Sequence, residues 1–335
     1  MKKTISSVGE KEFIRDFIKP YYNEKDDPAG VGDDCAMVAF GDEVALLSTD
    51  RVPSDLTAFK LGILDYCGLG DYLARLNLSD IAACGGRAIG LLLNLGLPSD
   101  VAYDDILSLC RGFGSGAERH GATVLGGDIT SACELSISAT SIGKAKRGCV
   151  LTRRGAKPGD SIFVSRPLGM TPAAFHVFLG KLESRLPSDS LKLLRRQFTD
   201  LEPMLSLGQL LGEGGQCGGC MDNTDGIGQS LAELSEASKC ALVVEGSALK
   251  IPSVVERVGQ IIGLPPVEFI FNGGADFSLV GTLRGQWSSE HASTQYKHPL
   301  EIIGHVEVGN GVWLEDGQCK PLTFRGWNYF YQASS

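Results

Sequence analysis

The chain has 335 residues, 43% of them hydrophobic and 21% charged, with a net charge of −9 at pH 7. That composition gives a folded protein with room for two cores and excludes a disordered chain. The negative balance, without a long Lys/Arg run, excludes non-specific nucleic-acid binding. The longest apolar run, Ala88 to Leu97, is interrupted by Asn94 and is too short for a bilayer. The first residues turn polar at Glu10-Lys11-Glu12 without the apolar core of a signal peptide, so the expected location is cytoplasmic. Ten cysteines then read as reduced, mostly buried thiols. Cys217-Gly218-Gly219-Cys220, with no second pair and no nearby His, reads as a glycine-rich loop rather than a zinc or redox site.

In chain order, Phe13, Ile14, Phe17 and Ile18 predict an amphipathic helix ending near Pro20. Val44 to Leu47 is a short strand that delivers Ser48-Thr49-Asp50 at its end. Asp71 to Cys84 is helical, with Leu73, Leu76 and Ile81 inward, and Ile106, Leu107, Cys110 and Phe113 mark a second helix. The strand Ala122 to Leu125 ends in Gly126-Gly127-Asp128, and Leu135, Ile137 and Ala139 alternate as another strand. The turn-rich stretch Arg153 to Asp160 marks a boundary, so two α+β domains, 1–148 and 149–335, are the simplest division. Beyond it, Ile227, Leu231 and Leu234 form a buried helical stripe, and Asn310-Gly311 between two alternating runs predicts a hairpin.

Five aspartate motifs stand out: Gly32-Asp33-Asp34, Ser48-Thr49-Asp50, Asn77-Leu78-Ser79-Asp80, Gly126-Gly127-Asp128 and Asp222-Asn223-Thr224-Asp225-Gly226. Two carboxylates about 4 Å apart repel by about 4 kcal/mol at an effective dielectric near 20, so such a set is tolerable mainly around divalent cations. With so many glycines beside them, the motifs suggest a site for magnesium and phosphate. The helix following Asp222 to Asp225 offers its N-terminus to an anion.

The ordered series resembles thiamine-monophosphate kinase, in the superfamily that also contains aminoimidazole ribonucleotide synthetase and selenophosphate synthetase. It runs from Gly30-Val31-Gly32-Asp33-Asp34 through the motifs above, Leu151 to Asp160, and Gly273-Gly274-Ala275-Asp276-Phe277, to Gly326-Trp327-Asn328. The resemblance implies a two-domain aminoimidazole ribonucleotide synthetase-like α+β fold, ATP and Mg2+ as cofactors, and a homodimer that pairs the N-terminal sheets. It further implies that Asp34, Asp50, Asp80, Asp128 and Asp222 bind magnesium with Ser48 and Thr49, and that Asp225 holds a further metal. Gly127, Asp128 and Thr224 would line the nucleotide, and Arg153 would contact its phosphates. On the acceptor side, Thr57 or a neighbour stands where the family has a histidine, Ala275 precedes Asp276 where it has a glutamate, and Trp327 matches an aromatic that packs on the substrate. Chemically, a phosphate-monoester acceptor needs no general base. An alcohol acceptor would need one, with Asp276 or Asp225 as candidates. Two other readings stay open: an ATP-dependent enzyme acting on a carbonyl, amide or specialised metabolite, and a non-catalytic nucleotide-binding protein.

Overall fold

The computed structural model describes residues 8–22, 32–53, 56–200 and 202–324. Two sheets organise them. The first has five strands, β1 (Ala36–Phe40), β2 (Glu43–Val52), β3 (Arg87–Leu97), β4 (Thr123–Ser131) and β5 (Ser136–Lys146), in the order β1-β2-β5-β3-β4. Against it lie the short α1 (Thr57–Lys60), the long α2 (Tyr66–Ala83) and α3 (Tyr103–Arg119). The two long helices approach closely because Gly112 has no side chain; a Cβ there would collide with the Cys67 carbonyl. α2 is thereby buried nearly all round, and its Asn77, Ser79 and Asp80 must find partners inside the protein.

The second sheet has seven strands: β6 (Ser161–Val164), β7 (Cys217–Asp222), β8 (Ala241–Glu245), β9 (Leu279–Leu283), β10 (Glu301–Glu307), β11 (Val312–Asp316) and β12 (Gln318–Pro321). Their order is β12-β11-β8-β10-β6-β9-β7. The helices with it are α4 (Met170–Leu179), α5 (Ser188–Thr199), α6 (Leu205–Gly214), α7 (Ile227–Ser238), α8 (Ser253–Ile262), α9 (Pro266–Asn272) and α10 (Ser289–Tyr296). Central β6 shows why a sheet covered on both faces needs a continuous apolar run. Ile162 and Val164 join the core with Leu231 and Leu234 of α7, while Phe163 joins the other core with Ala173 and Val177 of α4. That second core is continuous with the one under α2, so the two halves share apolar packing. The α7 stripe of Ile227, Leu231 and Leu234 is fully buried, as its spacing predicts.

Several local expectations change. The first helix continues to Tyr22 because a π-helical turn, Ile14–Ile18, precedes Pro20; the wider turn accommodates a ring that would clash in a regular helix. β2 and β4 run through their aspartate motifs instead of ending at them. β2 is paired with β5 along its whole length, from Glu43 opposite Lys146 to Val52 opposite Ile137, and β4 follows β3 as far as Ser131. Cys217 to Cys220 is part of edge strand β7, with a register shift absorbing Gly218 and Gly219. β10 and β11 form no hairpin: the apolar strand β8 inserts between them, antiparallel to one and parallel to the other, and satisfies both its edges. Among the described residues no helix is long and apolar enough to cross a membrane.

Candidate active site

Four chain segments converge at the seam between the sheets. Alternation along β2 turns Ser48 and Asp50 to the face that carries buried Leu46 and Val52, towards α2. From α2, Asn77 accepts the Asp50 backbone N–H at 3.1 Å, and Asp80 accepts the Ser48 hydroxyl at 2.6 Å. Ser79 reaches across to the second sheet and donates to Asp222, at the end of β7, at 2.6 Å. The loop before β1 adds Asp34, whose side chain is 3% exposed. Asp34, Asp80 and Asp222 each offer an oxygen within 4.8 Å of the others.

Three buried carboxylates this close do not all stay ionised by themselves. Burial raises Asp34 to about 6 and Asp222 to about 8, with repulsion from neighbouring carboxylates adding to both. Asp80 is pushed well above the carboxylate range by burial and by Asp50, Asp222 and Asp34. Asp50 is raised by burial, with the Asp225 charge also raising it. Arg153 is the resident counter-charge. Its guanidinium contacts Asp34 at 2.5 Å and Glu233 of α7 at 2.5 Å, while its backbone N–H donates to Asp33 at 2.6 Å. Burial opposes its charge, yet Asp34 and Glu233 outweigh that and raise its pKa. Convergent carboxylates with two flanking hydroxyls, and too little positive charge to balance them, match the oxygen-rich donor set of a hard divalent cation.

The other expected site residues fall in three places. Asp225 and Thr224 are half-buried in the loop before α7, where Gly226 adopts φ +101° and any side chain would strike the Gly273 carbonyl. The facing segment closes on this loop through Ala275 N–H to Thr224 O at 2.7 Å and Phe277 N–H to Asn223 O at 3.1 Å. Ala275 and Phe277, on either side of Asp276, both have positive φ, 62° and 48°, a strained backbone for residues with side chains. Asp276 itself is buried and accepts the Thr171 N–H at 3.3 Å, capping the start of α4; burial raises it to about 6. Thr57 begins α1 and is half-buried.

Two expected ligand positions lie elsewhere in the single chain. Thr49 points to the opposite face of β2 from Ser48 and Asp50, and its hydroxyl meets that of Thr140 at 2.8 Å. Gly127 and Asp128 are exposed on edge strand β4. Through β5 and β3, Gly127 is in register with Asp50 but three strand spacings away, about 14 Å. Trp327 lies outside the described residues. Sequence reasoning passed over Ser79 and Asn77, although both stand inside the motif that ends in Asp80. Glu233 carried no signal, since its contact with Arg153 joins residues 80 positions apart.

Two sheets meeting at a buried carboxylate cluster form an enzyme with an aminoimidazole ribonucleotide synthetase-like α+β fold. Residues 32–145 match the model of the AIR synthase related protein, N-terminal domain. A thiamine-monophosphate kinase of Archaeoglobus fulgidus is 30% identical over 306 residues, covering 90% of this chain and 91% of the relative. That of Pyrococcus abyssi is 27% identical over 329 residues, 97% of each. A solved structure of AaThiL complexed with AMPPCP and TMP superposes with a TM-score of 0.83 at 24% identity, covering 98% of this chain and 99% of that one. The chain belongs to the thiamine-monophosphate kinase family.

Proposed function

We propose that the protein transfers the γ-phosphoryl group of ATP to thiamine monophosphate, forming thiamine diphosphate, with Mg2+ held by Asp34, Asp50, Asp80 and Asp222. The observation that carries this reading is the Asp34, Asp80 and Asp222 cluster, in a chain whose relatives are thiamine-monophosphate kinases and whose structural neighbour holds AMPPCP, a β,γ-methylene ATP analogue, together with TMP. Ser48 and Ser79 orient the carboxylates they touch. Asp225, close enough to Asp50 to disfavour its charge, is assigned to a further metal. Bound Mg2+ would screen the phosphate charges. Arg153, paired with Asp34 and Glu233 beside the cluster, would add positive charge for the transferred group.

A phosphate-monoester acceptor brings its own anionic nucleophile, so catalysis reduces to alignment and charge neutralisation. Of the two candidate bases for an alcohol acceptor, Asp276 is buried and caps α4, which removes it from that role and leaves Asp225. We further assign residues 1–148 to a nucleotide-binding and dimerisation domain and 149–335 to a second domain. A homodimer is supported by β4, a sheet edge whose nine residues are all exposed, with Ile129 at 68%. Gly127 and Asp128, on that edge, would join a nucleotide site at the dimer interface. The ten free cysteines support a reducing, cytoplasmic compartment.

The test is a steady-state assay with ATP, Mg2+ and thiamine monophosphate. Thiamine diphosphate formation that disappears without Mg2+ is expected. ATP-dependent turnover of other acceptors but not this one would reject the acceptor, and tight ATP binding without any turnover would reject the kinase.

A further inference from the structure

We propose that Cys217 and Cys220 are a modification site, oxidised by a low-molecular-weight disulfide to an internal disulfide across the bulge of β7, and that this oxidation turns down the phosphate-handling site beside it. The inference rests on the kinase reading above and adds its regulation. Residues three apart on a regular strand point to opposite faces of the sheet. In β7 they do not. Cys217 stands opposite Leu283 and Cys220 opposite Gly281, two positions along β9, so Gly218 and Gly219 together face Thr282 alone. The extra residue of this bulge turns both thiols to one face, where Cys220 is part of the core and Cys217 packs against it. The Cys217 thiol donates to the Gly219 carbonyl at 3.7 Å, over the bulge, and is near enough to Cys220 to interact with its thiol.

Exposure differs within the pair. Cys217 is half-buried on an edge strand, while Cys220 is 1% exposed. That arrangement suits thiol–disulfide exchange in two steps. The Cys217 sulfur, as thiolate, attacks one sulfur of the small disulfide and expels the first small thiolate. The Cys220 sulfur then attacks Cys217 in the mixed disulfide and expels the second. Two cysteine thiols lose two electrons and two protons, and the small disulfide takes them up as two thiols. Cys35 and Cys84 also adjoin, at 2% and 1% exposure, but neither is open to start the exchange.

A disulfide holds its two Cα atoms within about 7 Å of each other, so closing it clamps the bulge. The bulge is packed on the candidate active site. The Cys220 N–H donates to the Thr152 carbonyl at 2.9 Å, next to Arg153. Gly219 lies so near the Arg153 carbonyl that a Cβ there would be 2.8 Å from it. Just beyond Cys220 and Met221, β7 ends at Asp222. A shift of the bulge therefore moves both the arginine that meets Asp34 and a carboxylate of the cluster. Both thiols are free in the structure, as a pair that closes only under oxidising conditions requires.

The experiment treats the full chain with glutathione disulfide or with dithiothreitol. It then reads the Cys217–Cys220 bond by mass mapping after alkylation, kcat/KM with ATP, Mg2+ and thiamine monophosphate, and AMPPCP affinity in the presence of Mg2+. Oxidation is expected to form the bond and to lower both kcat/KM and AMPPCP affinity by about tenfold or more, all restored by dithiothreitol. Cys217→Ser should leave the reduced protein within about twofold of the unaltered activity and abolish the response to glutathione disulfide. The proposal is overturned if Cys217 and Cys220 are still alkylated where exposed Cys133 has fully reacted with glutathione disulfide. It is equally overturned if the bond forms without change in kcat/KM or AMPPCP affinity, or if Cys217→Ser responds undiminished. If the reduced protein does not turn over thiamine monophosphate, the kinase reading fails, while the bond and its effect on AMPPCP affinity still decide the modification site.

Discussion

The carboxylate cluster and the Asp71 ion pairs share helix α2, yet they handle charge in opposite ways. At the cluster, Asp34, Asp80 and Asp222 are crowded beyond what Arg153 neutralises, so the folded protein holds them at raised pKa values. Two turns away, the single carboxylate of Asp71 is shared by two guanidinium groups, Arg75 and Arg119. The lesson is that crowded buried carboxylates call for a bound ion, whereas a carboxylate already held by guanidinium groups recruits none.

The largest effect should come from breaking the cluster. Asp80→Asn should lower kcat by about a thousandfold, comparable to loss of a key electrostatic group, while raising the metal-free melting temperature by about 2–4 °C as a crowded acid is removed. Kinetics and calorimetry on one preparation check both; loss of activity together with loss of metal-free stability would mean the cluster is structural. Arg153→Met should come next. It leaves the buried Asp34 and the partly buried Glu233 uncompensated, at a cost of about 3–5 kcal/mol in denaturant unfolding. A change below about 1 kcal/mol would show the two acids re-pair elsewhere.

The third prediction concerns pH. Folded-state pKa values of Asp34, Asp80 and Asp222 are raised above their unfolded values, so the folded state binds more protons and stability falls as pH rises. The fall should begin above about pH 4 and extend past about 8, where Asp222 ionises. Mg2+ should abolish it, and its stabilising effect should be greatest at the alkaline end. A metal-free protein whose melting temperature is flat across this range would contradict the charge-crowding account. The smallest effect is that of Ser79→Ala, which removes one hydrogen bond to Asp222 and should cost about 1 kcal/mol, with a still smaller effect on KM for ATP.

Much of the cluster was legible because its members stand in short glycine- and serine-rich motifs, and Asp34, Asp80 and Asp222 do converge. Less legible was where the motifs sit in their strands. Polar and glycine residues read as strand ends at Asp50 and Asp128, but a ladder stops only when its partner does, and β5 and β3 continue. Strand alternation then separates Thr49 from Ser48, which a motif taken as a unit does not reveal. The false hairpin at Asn310-Gly311 has the same origin: β8, about 70 positions earlier, takes the place between the two strands. Glu233 was invisible for a further reason, since its contact with Arg153 joins segments 80 positions apart that only the folded chain brings together.

The claim that the cluster is a magnesium site kept partly protonated until metal arrives is tested most directly by titrating Mg2+ into the protein with AMPPCP at pH 7. Calorimetry in two buffers of different ionisation enthalpy reads the protons exchanged. Asp222, at about 8, is then largely protonated, so Mg2+ binding should release protons, and the release should diminish in Asp222→Asn. Tight Mg2+ binding with no proton release, or no Mg2+ binding at all, would contradict it.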